Sequence, residues 1–215
     1  MKITAKDYQC TDSNAKLHKL AKEHNLPHKI LVFGMTAGVT CPSADTCKTG
    51  FKVDGDKRRY CFGMQGAYIW PAVRKKYAWR HEMTKRHDWV DRMVAELHKR
   101  KSRHVRIHDI GDFYSDIYLH RWICVMRACP DHVFWCYTKE VRRFKRSMVW
   151  EPMPDNFHYA YSYGGKDDAL IDRERDRYSE VIEHDAQMDA DCHDLTHDEL
   201  QLLDNNKRKF YTVAH

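Results

Sequence analysis

Three cysteines lie near one another in the first third of the sequence, within the stretch TCPSADTCKTGFKVDGDKRRYC. Cys41 and Cys47 are six positions apart, and Cys61 follows fourteen positions later. Thiolates bind soft and borderline metals tightly, so the spacing is compatible with a disulfide, a zinc site or an iron–sulfur cluster. The sequence has no apolar leader and no run of about 18 apolar residues that could span a membrane. We therefore expect a cytoplasmic protein without a membrane partner, where disulfides are rare.

Spacing alone leaves two kinds of metal centre open. Structural zinc is usually bound by paired Cys-x-x-Cys motifs and a fourth ligand. This chain has no such motif, and one of its 15 histidines would have to complete a zinc site. Three cysteines on one loop also suit a four-iron cluster whose fourth iron stays open to a small ligand.

Alternating strands and helices must position this loop. The stretch KILVFGMTAG reads as a buried strand, and HVRIHDI, HVFWCYT and FHYAYSY read as later strands separated by helical segments. This alternation predicts an α/β protein with mostly parallel strands. Because a complete eightfold barrel usually needs about 250 residues, we expect a partial (β/α) barrel with an irregular cysteine-bearing N-terminal loop.

We expect one α/β domain over residues 1–215. Its predicted parts are an N-terminal extension (1–30), a cysteine loop (31–70), a βα core (71–165), and an acidic helix with a final strand (166–215). Within the core, one helical pattern covers 71–100, Pro71 is suited to a helix start, and Ser115 is suited to an N-cap.

Polar residues follow two of the predicted strands, at the edge where parallel α/β proteins carry their functional groups. Asp109 and Asp112 could orient an amine or transfer a proton, and Lys139 could bind a carboxylate or phosphate. The plain alternatives are that Asp112 caps a turn and that Lys139 begins a solvated helix. Strand alternation places Arg106 and His108 on one face.

Further along the chain, Gly164 and Gly165 precede a predicted helix and could cradle an anion at its N-terminus.

Charge is unevenly distributed along the chain. Residues 1–165 carry 30 Lys and Arg against 17 Asp and Glu, a net charge of +13, whereas residues 166–204 carry 4 against 14, a net of −10. This asymmetry indicates a polyanionic partner or an acidic stretch folded over the basic surface. The stretch 74–106 has 12 basic and 4 acidic residues with Trp79 and Trp89 interleaved, which favours nucleic acid or a nucleotide as the partner. The alternative is that both tryptophans belong to the apolar helical stripe.

Four longer motifs carry a family resemblance: FGMTAGVTCPSADTC, CFGMQGAYIWPAVR, VRIHDIGDFYSDIYLHRW and FWCYTKEVRRF. Together they resemble the bacteriophage gene product 88-like family over about residues 31–165. That family is more distantly similar to phage proteins that look like radical S-adenosylmethionine (SAM) enzymes. The resemblance implies a partial barrel and a [4Fe-4S] cluster on three cysteines, with SAM bound at the open iron and cleaved reductively to a carbon radical.

Carried over to this chain, the resemblance assigns the cluster to Cys41, Cys47 and Cys61. It places Phe62 in the aromatic position after the last cysteine and Asp112 near the SAM amino group. With the strand-end residues, the predicted cofactor-binding group is Phe62, Gly111, Asp112 and Ser162, and the predicted catalytic group is Asp109, Asp112 and Lys139. One departure is that radical SAM enzymes usually space these cysteines as Cys-x3-Cys-x2-Cys, whereas KTGFKVDGDKRRY separates the last two here.

Three functions follow as hypotheses. The first is a phage iron–sulfur enzyme, SAM-dependent, that acts on a nucleotide or nucleic-acid substrate in the host cytoplasm. The second is a nucleic-acid-binding protein without catalysis, whose loop is stabilised by zinc or a cluster. The third is an inhibitor that binds a host protein.

Overall fold

The computed structural model describes residues 11–12, 14–46, 51–53, 56–58, 61–182 and 188–213. The strands in this part of the chain are β1 (Thr11–Asp12), β2 (Leu31–Phe33), β3 (Phe51–Val53), β4 (Asp56–Arg58), β5 (His104–Ile107), β6 (Val133–Thr138), β7 (Phe157–Ser162), β8 (Tyr178–Ile182), β9 (Cys192–Asp194) and β10 (Lys209–Val213). The α-helices are α1 (Ala15–Glu23), α2 (Pro71–Thr84), α3 (Trp89–Lys99), α4 (Asp116–Ala128) and α5 (Val141–Trp150).

One mixed sheet organises the described chain, in the order β1-β2-β5-β6-β7-β8-β10-β9. Every pairing from β2 to β9 is parallel, and only β1 runs antiparallel to its neighbour. The predicted α/β class and parallel strands are therefore confirmed. The order ends at β1 on one side and β9 on the other, so closure into a barrel is not confirmed. Strands β3 and β4 form a separate hairpin.

Helices α3, α4 and α5 cover one face of the sheet. Leu31 and Phe33 of β2 point to this face, where Phe33 meets Trp89 and Trp122 with ring centroids 5.9 and 5.4 Å away. Both tryptophans are fully buried. Because Trp89 belongs to this core, the sequence-based suggestion that it stacks on nucleic-acid bases is wrong.

The other face is covered by α1 and by the segment that follows β9. Val32, Trp135, Ala160 and Phe210 supply the sheet side, and Leu17, Leu20, Leu195 and Leu202 pack against it. A parallel sheet covered on both faces explains why its strands read as nearly continuous apolar runs. None of the described helices is long and apolar enough to cross a membrane.

Several local predictions are confirmed. Pro71 is the first residue of α2, and the Ser115 side chain accepts a hydrogen bond from the Tyr118 amide at the start of α4. The helical pattern over 71–100 is two helices rather than one. Asp88 stands at the break and pairs with Arg86 and Arg92, at 3.0 and 2.8 Å.

The predicted acidic helix is wrong, because no α-helix occurs in the described residues 166–182 and 188–213. Aspartates there bond to nearby backbone amides instead: Asp172 accepts from the amides of Glu174 and Arg175, and its own amide donates to Asp176. Such local bonds compete with helix formation. The chain then pairs as β8 between β7 and β10.

The described residues of the predicted N-terminal extension belong to the fold, since β1 pairs with β2 and α1 packs on the sheet. The acidic segment folds back over the basic part of the chain, as one of the two charge hypotheses expects. Its ion pairs are Arg142–Asp167 at 2.8 Å, Lys145–Asp176 at 2.6 Å, Lys16–Glu199 at 2.8 Å and Arg106–Glu199 at 2.8 Å.

The aromatic core predicts a contrast between two tryptophans. Trp122→Ala should lower the free energy of unfolding by about 3–5 kcal/mol, because it empties a tightly packed site. Trp150→Ala is the matched control: this side chain is 85% exposed, and its loss should change stability by less than about 0.5 kcal/mol. Urea unfolding followed by circular dichroism measures both, and equal effects would contradict the described packing.

Candidate functional site

A cavity of about 380 Å³ opens at the carboxyl edge of the parallel strands. Its walls contain seven of the nine residues in the predicted metal, cofactor-binding and catalytic groups: Cys41, Cys61, Asp109, Gly111, Asp112, Lys139 and Ser162. Cys47 and the side chain of Phe62 lie outside the part of the chain that the structure describes. Most of the side chains that we expected to converge at the strand ends therefore line one cavity.

The loop that carries Cys41 is joined to three successive strand ends by hydrogen bonds. The Asp112 amide after β5 donates to the Thr40 carbonyl at 3.0 Å, and the Ser43 amide donates to Glu140 after β6 at 2.9 Å. After β7, the Gly164 carbonyl accepts from the amides of Asp45 and Thr46. These bonds hold Cys41 at the cavity wall.

Cys61 reaches the same cavity from a different segment. It packs, half-buried, against a small apolar cluster of Ala37, Tyr77 and Ile110. Ala37 precedes Cys41 on its loop, so this cluster links the two cysteine-bearing segments. Among the described residues, no three His, Cys, Asp or Glu side chains are grouped closely enough to hold a metal. The described residues thus supply two of the three predicted ligands.

Asp112 is a buried carboxylate whose two oxygens accept hydrogen bonds from the protein. Oδ1 accepts from the Thr138 hydroxyl at 2.6 Å and from the Phe113 amide at 2.8 Å, and Oδ2 accepts from the Lys139 amide at 2.8 Å. Burial, with the nearby Glu140 carboxylate, raises the pKa of Asp112 to about 6. Asp112 therefore ties the end of β5 to the end of β6, which is closer to the turn-capping alternative than to direct catalysis.

The close approach at Gly111 also shapes this turn. Gly111 has a φ of +88°, and a Cβ there would lie 2.7 Å from Thr40 Oγ1. Any other residue would strain the backbone and push the cysteine loop away from β5.

Asp109 is held by two tyrosines at the cavity wall. Its Oδ2 accepts from Tyr68 at 2.8 Å and from Tyr77 at 3.1 Å. Burial and the Asp109 charge raise the pKa of both phenols, which keeps them protonated as donors. A Cβ on Gly34 would collide with the Asp109 carboxylate and the Tyr77 ring, so glycine is needed at that position.

Lys139 does not begin a solvated helix. Its ammonium group donates to the Ser162 hydroxyl at 2.9 Å, to the Ser162 carbonyl at 3.2 Å and to the Tyr163 carbonyl. These bonds hold the cation in the cavity wall, at the junction of β6 and β7.

An ion cluster built on the buried pair Arg106–Glu199 also lines the cavity. Arg106 donates to Glu199 at 2.8 Å, Lys16 donates to the other Glu199 oxygen at 2.8 Å, and the guanidinium stacks 4.3 Å from the Tyr137 ring centroid. Burial by itself would raise the pKa of Glu199, but Arg106 and Lys16 lower it overall. The cluster fastens the C-terminal segment and α1 to the sheet.

Arg106 and His108 do not share a strand face, because β5 ends at Ile107. His108 has a φ of +60°, which breaks the alternation, and its ring packs against Phe113 and Tyr118. Burial lowers the pKa of His108 well below its usual range, with a contribution from Arg106. The imidazole is therefore neutral at pH 7. Its Nδ1 is buried without a hydrogen-bond partner among the described groups.

The anion cradle predicted at Gly164 and Gly165 is already filled from within the chain. Both amides donate to the Asp168 carboxylate, at 2.8 and 2.9 Å. No α-helix follows these glycines in the described residues. Anion binding there would need free amides and a helix N-terminus, and neither is present in this part of the structure.

Sequence reasoning missed four residues of the site: Tyr68, Tyr77, Glu140 and Glu199. Glu140 follows the Thr-Lys pair directly, and its position after a strand could have identified it. Nothing local in the sequence indicates that Glu199, which is 93 positions beyond Arg106, pairs with it.

The raised pKa of Asp112 makes a prediction about stability. In the unfolded chain an aspartate ionises near pH 3.8, whereas folded Asp112 keeps its proton up to about pH 6. Asp112 therefore makes folding less favourable as pH rises from about 4 to 6. Asp112→Asn removes this titration but also one acceptor for the Lys139 amide.

The measurement is the difference in free energy of unfolding between wild type and Asp112→Asn at several pH values from 4 to 7. We expect the wild type to lose stability relative to the variant as pH rises through this range. A difference that is constant with pH would contradict the raised pKa.

Comparison with known proteins adds a family to this geometry. Neither a curated protein nor a solved structure matches the chain at significance. The family model described as Gene product 88 matches residues 6–212, nearly the whole sequence and a longer stretch than the four motifs cover. The chain therefore belongs to the phage gene product 88 family.

Proposed function

We propose that this protein is an iron–sulfur enzyme whose [4Fe-4S] cluster is held by Cys41, Cys47 and Cys61 at the wall of the strand-end cavity. The observation that carries the proposal is that Cys41 and Cys61, 20 positions apart in sequence, line one cavity. Cys47 would complete the set as the third thiolate. Three thiolates leave one iron of a four-iron cluster open to a small ligand.

The cavity walls suit a small organic ligand that carries charged groups. Asp109 could accept from an amine, and Lys139 could contact a carboxylate that displaces one of its bonds to Ser162 or Tyr163. His108 Nδ1 and the Tyr137 hydroxyl are buried without hydrogen-bond partners among the described residues, and both residues line the cavity. Buried polar atoms of this kind are normally satisfied by a ligand or by water.

SAM is the ligand that we propose for this cavity, since it has an amine and a carboxylate on one carbon. With SAM bound, the cluster would pass one electron from an external reductant to the sulfonium, and the S–C5′ bond would break to give methionine and a 5′-deoxyadenosyl radical. The strand order from β2 through β8 nearly follows the chain, and we propose that the sheet is the partial (β/α) barrel expected for such an enzyme. The substrate class would be a nucleotide or nucleic acid.

A plain structural metal site is less well supported. A zinc ion that only stabilises a loop needs no adjacent cavity. Cys41 and Cys61, however, both line a cavity of about 380 Å³ whose wall also contains Asp109, Asp112 and Lys139. Polar and charged groups that converge on a concave site favour ligand binding.

Metal analysis after anaerobic purification tests the cluster. The wild type should be brown and contain about four irons with matching sulfide per chain, and Cys41→Ala and Cys61→Ala should lose most of both. Cys192→Ala is the control, because this half-buried cysteine lies on β9 and away from the cavity. Colourless protein with about one zinc per chain would instead support the non-catalytic alternative.

Incubation of reduced, cluster-loaded protein with SAM tests the enzymatic part separately. We expect 5′-deoxyadenosine, detected by liquid chromatography and mass spectrometry, and we expect Lys139→Ala to reduce its yield at least about tenfold, because a buried charge-assisted contact is worth about 1.5–3 kcal/mol. An intact cluster that gives no 5′-deoxyadenosine would contradict the SAM proposal and leave the cluster proposal standing.

A further inference from the structure

Four large apolar side chains are exposed on two neighbouring segments that lead to the cavity. Val39, Met64, Ile69 and Trp70 are 68%, 42%, 46% and 63% exposed. The end of the Met64 side chain lies against Gly38, so the loop of Val39 and the segment of residues 64–70 are neighbours. We call these four residues the apolar patch. A patch of this kind on a protein surface marks an interaction site.

Exposed cations continue the patch along α2. Arg74 lies one helical turn after Trp70, with its amide bonded to the Trp70 carbonyl at 2.9 Å, and Arg74 and Lys75 are both exposed. The single acidic residue of α2 is Glu82, which pairs with Lys85 at 2.7 Å. The partner of this surface therefore combines apolar or aromatic groups with negative charge.

A groove lies between α2 and the loop that leads to Cys41. Thr36, Val39, Lys75 and Trp79 are among its lining residues, and its volume is about 450 Å³. Thr36 Oγ1 and Trp79 Nε1 are buried atoms without hydrogen-bond partners among the described groups. The groove thus offers an aromatic wall, Trp79, and a cation, Lys75, to a nucleobase and its phosphate, and the Glu82 carboxylate that also lines it is paired with Lys85.

We propose that the apolar patch, Arg74, Lys75 and this groove form a binding surface for single-stranded nucleic acid. Aromatic side chains among cations are the usual platform for unpaired bases, and their stacking requires bases that are not already paired. The proposal differs from the sequence-based one in its aromatics, since Trp70 is exposed on this surface and Trp89 is in the core.

The surface also indicates where the strand would lead. Val39 belongs to the groove and Cys41 to the cavity, two positions apart on one loop. A strand bound along α2 would place a nucleotide at the mouth of the cavity. The idea that the bound strand is the substrate rests on the proposed function, whereas the idea that the surface binds single-stranded nucleic acid does not.

Fluorescence anisotropy with a labelled oligothymidylate of about 16 nucleotides tests the surface, with the full-length, anaerobically purified protein. Trp70→Ala should weaken binding about tenfold through lost stacking. Arg74→Ala with Lys75→Ala should weaken binding further and reduce the slope of log affinity against log salt by about 1.4, at about 0.7 per lost phosphate contact.

Matched controls lie at the opposite edge of the sheet. Trp150 is an exposed tryptophan at the end of α5, and Lys99 and Lys101 are exposed cations just before β5. Trp150→Ala, and Lys99→Ala with Lys101→Ala, should leave affinity within about twofold of wild type. Equal losses in both sets, or absence of wild-type binding at low salt, would overturn the proposal.

Two further outcomes separate the alternatives. If a duplex binds as tightly as the single strand, the single-strand proposal is wrong and the surface binds duplex. If the protein binds no oligonucleotide but forms a dimer that Trp70→Ala converts to a monomer, the proposal is wrong and the surface binds a second copy of the chain. Cys41→Ala should lose iron but keep oligonucleotide affinity. Binding without iron would therefore disprove the proposed function alone, and iron without binding would disprove this inference alone.

Discussion

Asp112 and Glu140, at the ends of adjacent strands, hold the cysteine loop on the sheet, and the rest of the site depends on them. The Asp112 backbone amide donates to the Thr40 carbonyl of the loop, while the Asp112 carboxylate fixes the turn that carries this amide. Asp112 bonds to Thr138 and to the Lys139 amide, while Glu140 accepts from the Ser43 amide and from Arg143. A loop without regular structure has few bonds of its own, so these contacts from adjacent strand ends determine where Cys41 lies. The cost of burying Asp112 is visible in its raised pKa.

The C-terminal segment forms a second part of the cavity wall. Glu199 pairs with Arg106 of β5 and with Lys16 of α1, which joins both ends of the chain to the central sheet. Pairing satisfies charges that would otherwise be costly to bury. The acidic composition of residues 166–204 thus has a structural role: it neutralises cations on the cavity and helix surfaces, and it leaves Arg74 and Lys75 exposed beside the apolar patch.

The strands and the site could be predicted from the sequence to different degrees. Apolar runs predicted β2, β5, β6 and β7, because burial on both faces leaves a clear pattern. The acidic helix failed because local aspartate bonds and pairing with β7 and β10 outweigh helical composition in this segment. Strand-end logic found Asp109, Asp112 and Lys139, whereas Glu199 and the two tyrosines on Asp109 come from distant segments, and no local pattern reports such contacts.

The central claim is that Cys41, Cys47 and Cys61 bind one iron–sulfur centre beside the cavity. Iron-edge X-ray absorption spectroscopy on anaerobically purified protein tests it most directly, because it reports the atoms around the metal. We expect a spectrum with sulfur atoms nearest to iron and further iron atoms in the second shell, and we expect Cys41→Ala to lose this spectrum. Absence of bound iron, or iron surrounded only by oxygen and nitrogen, would contradict it.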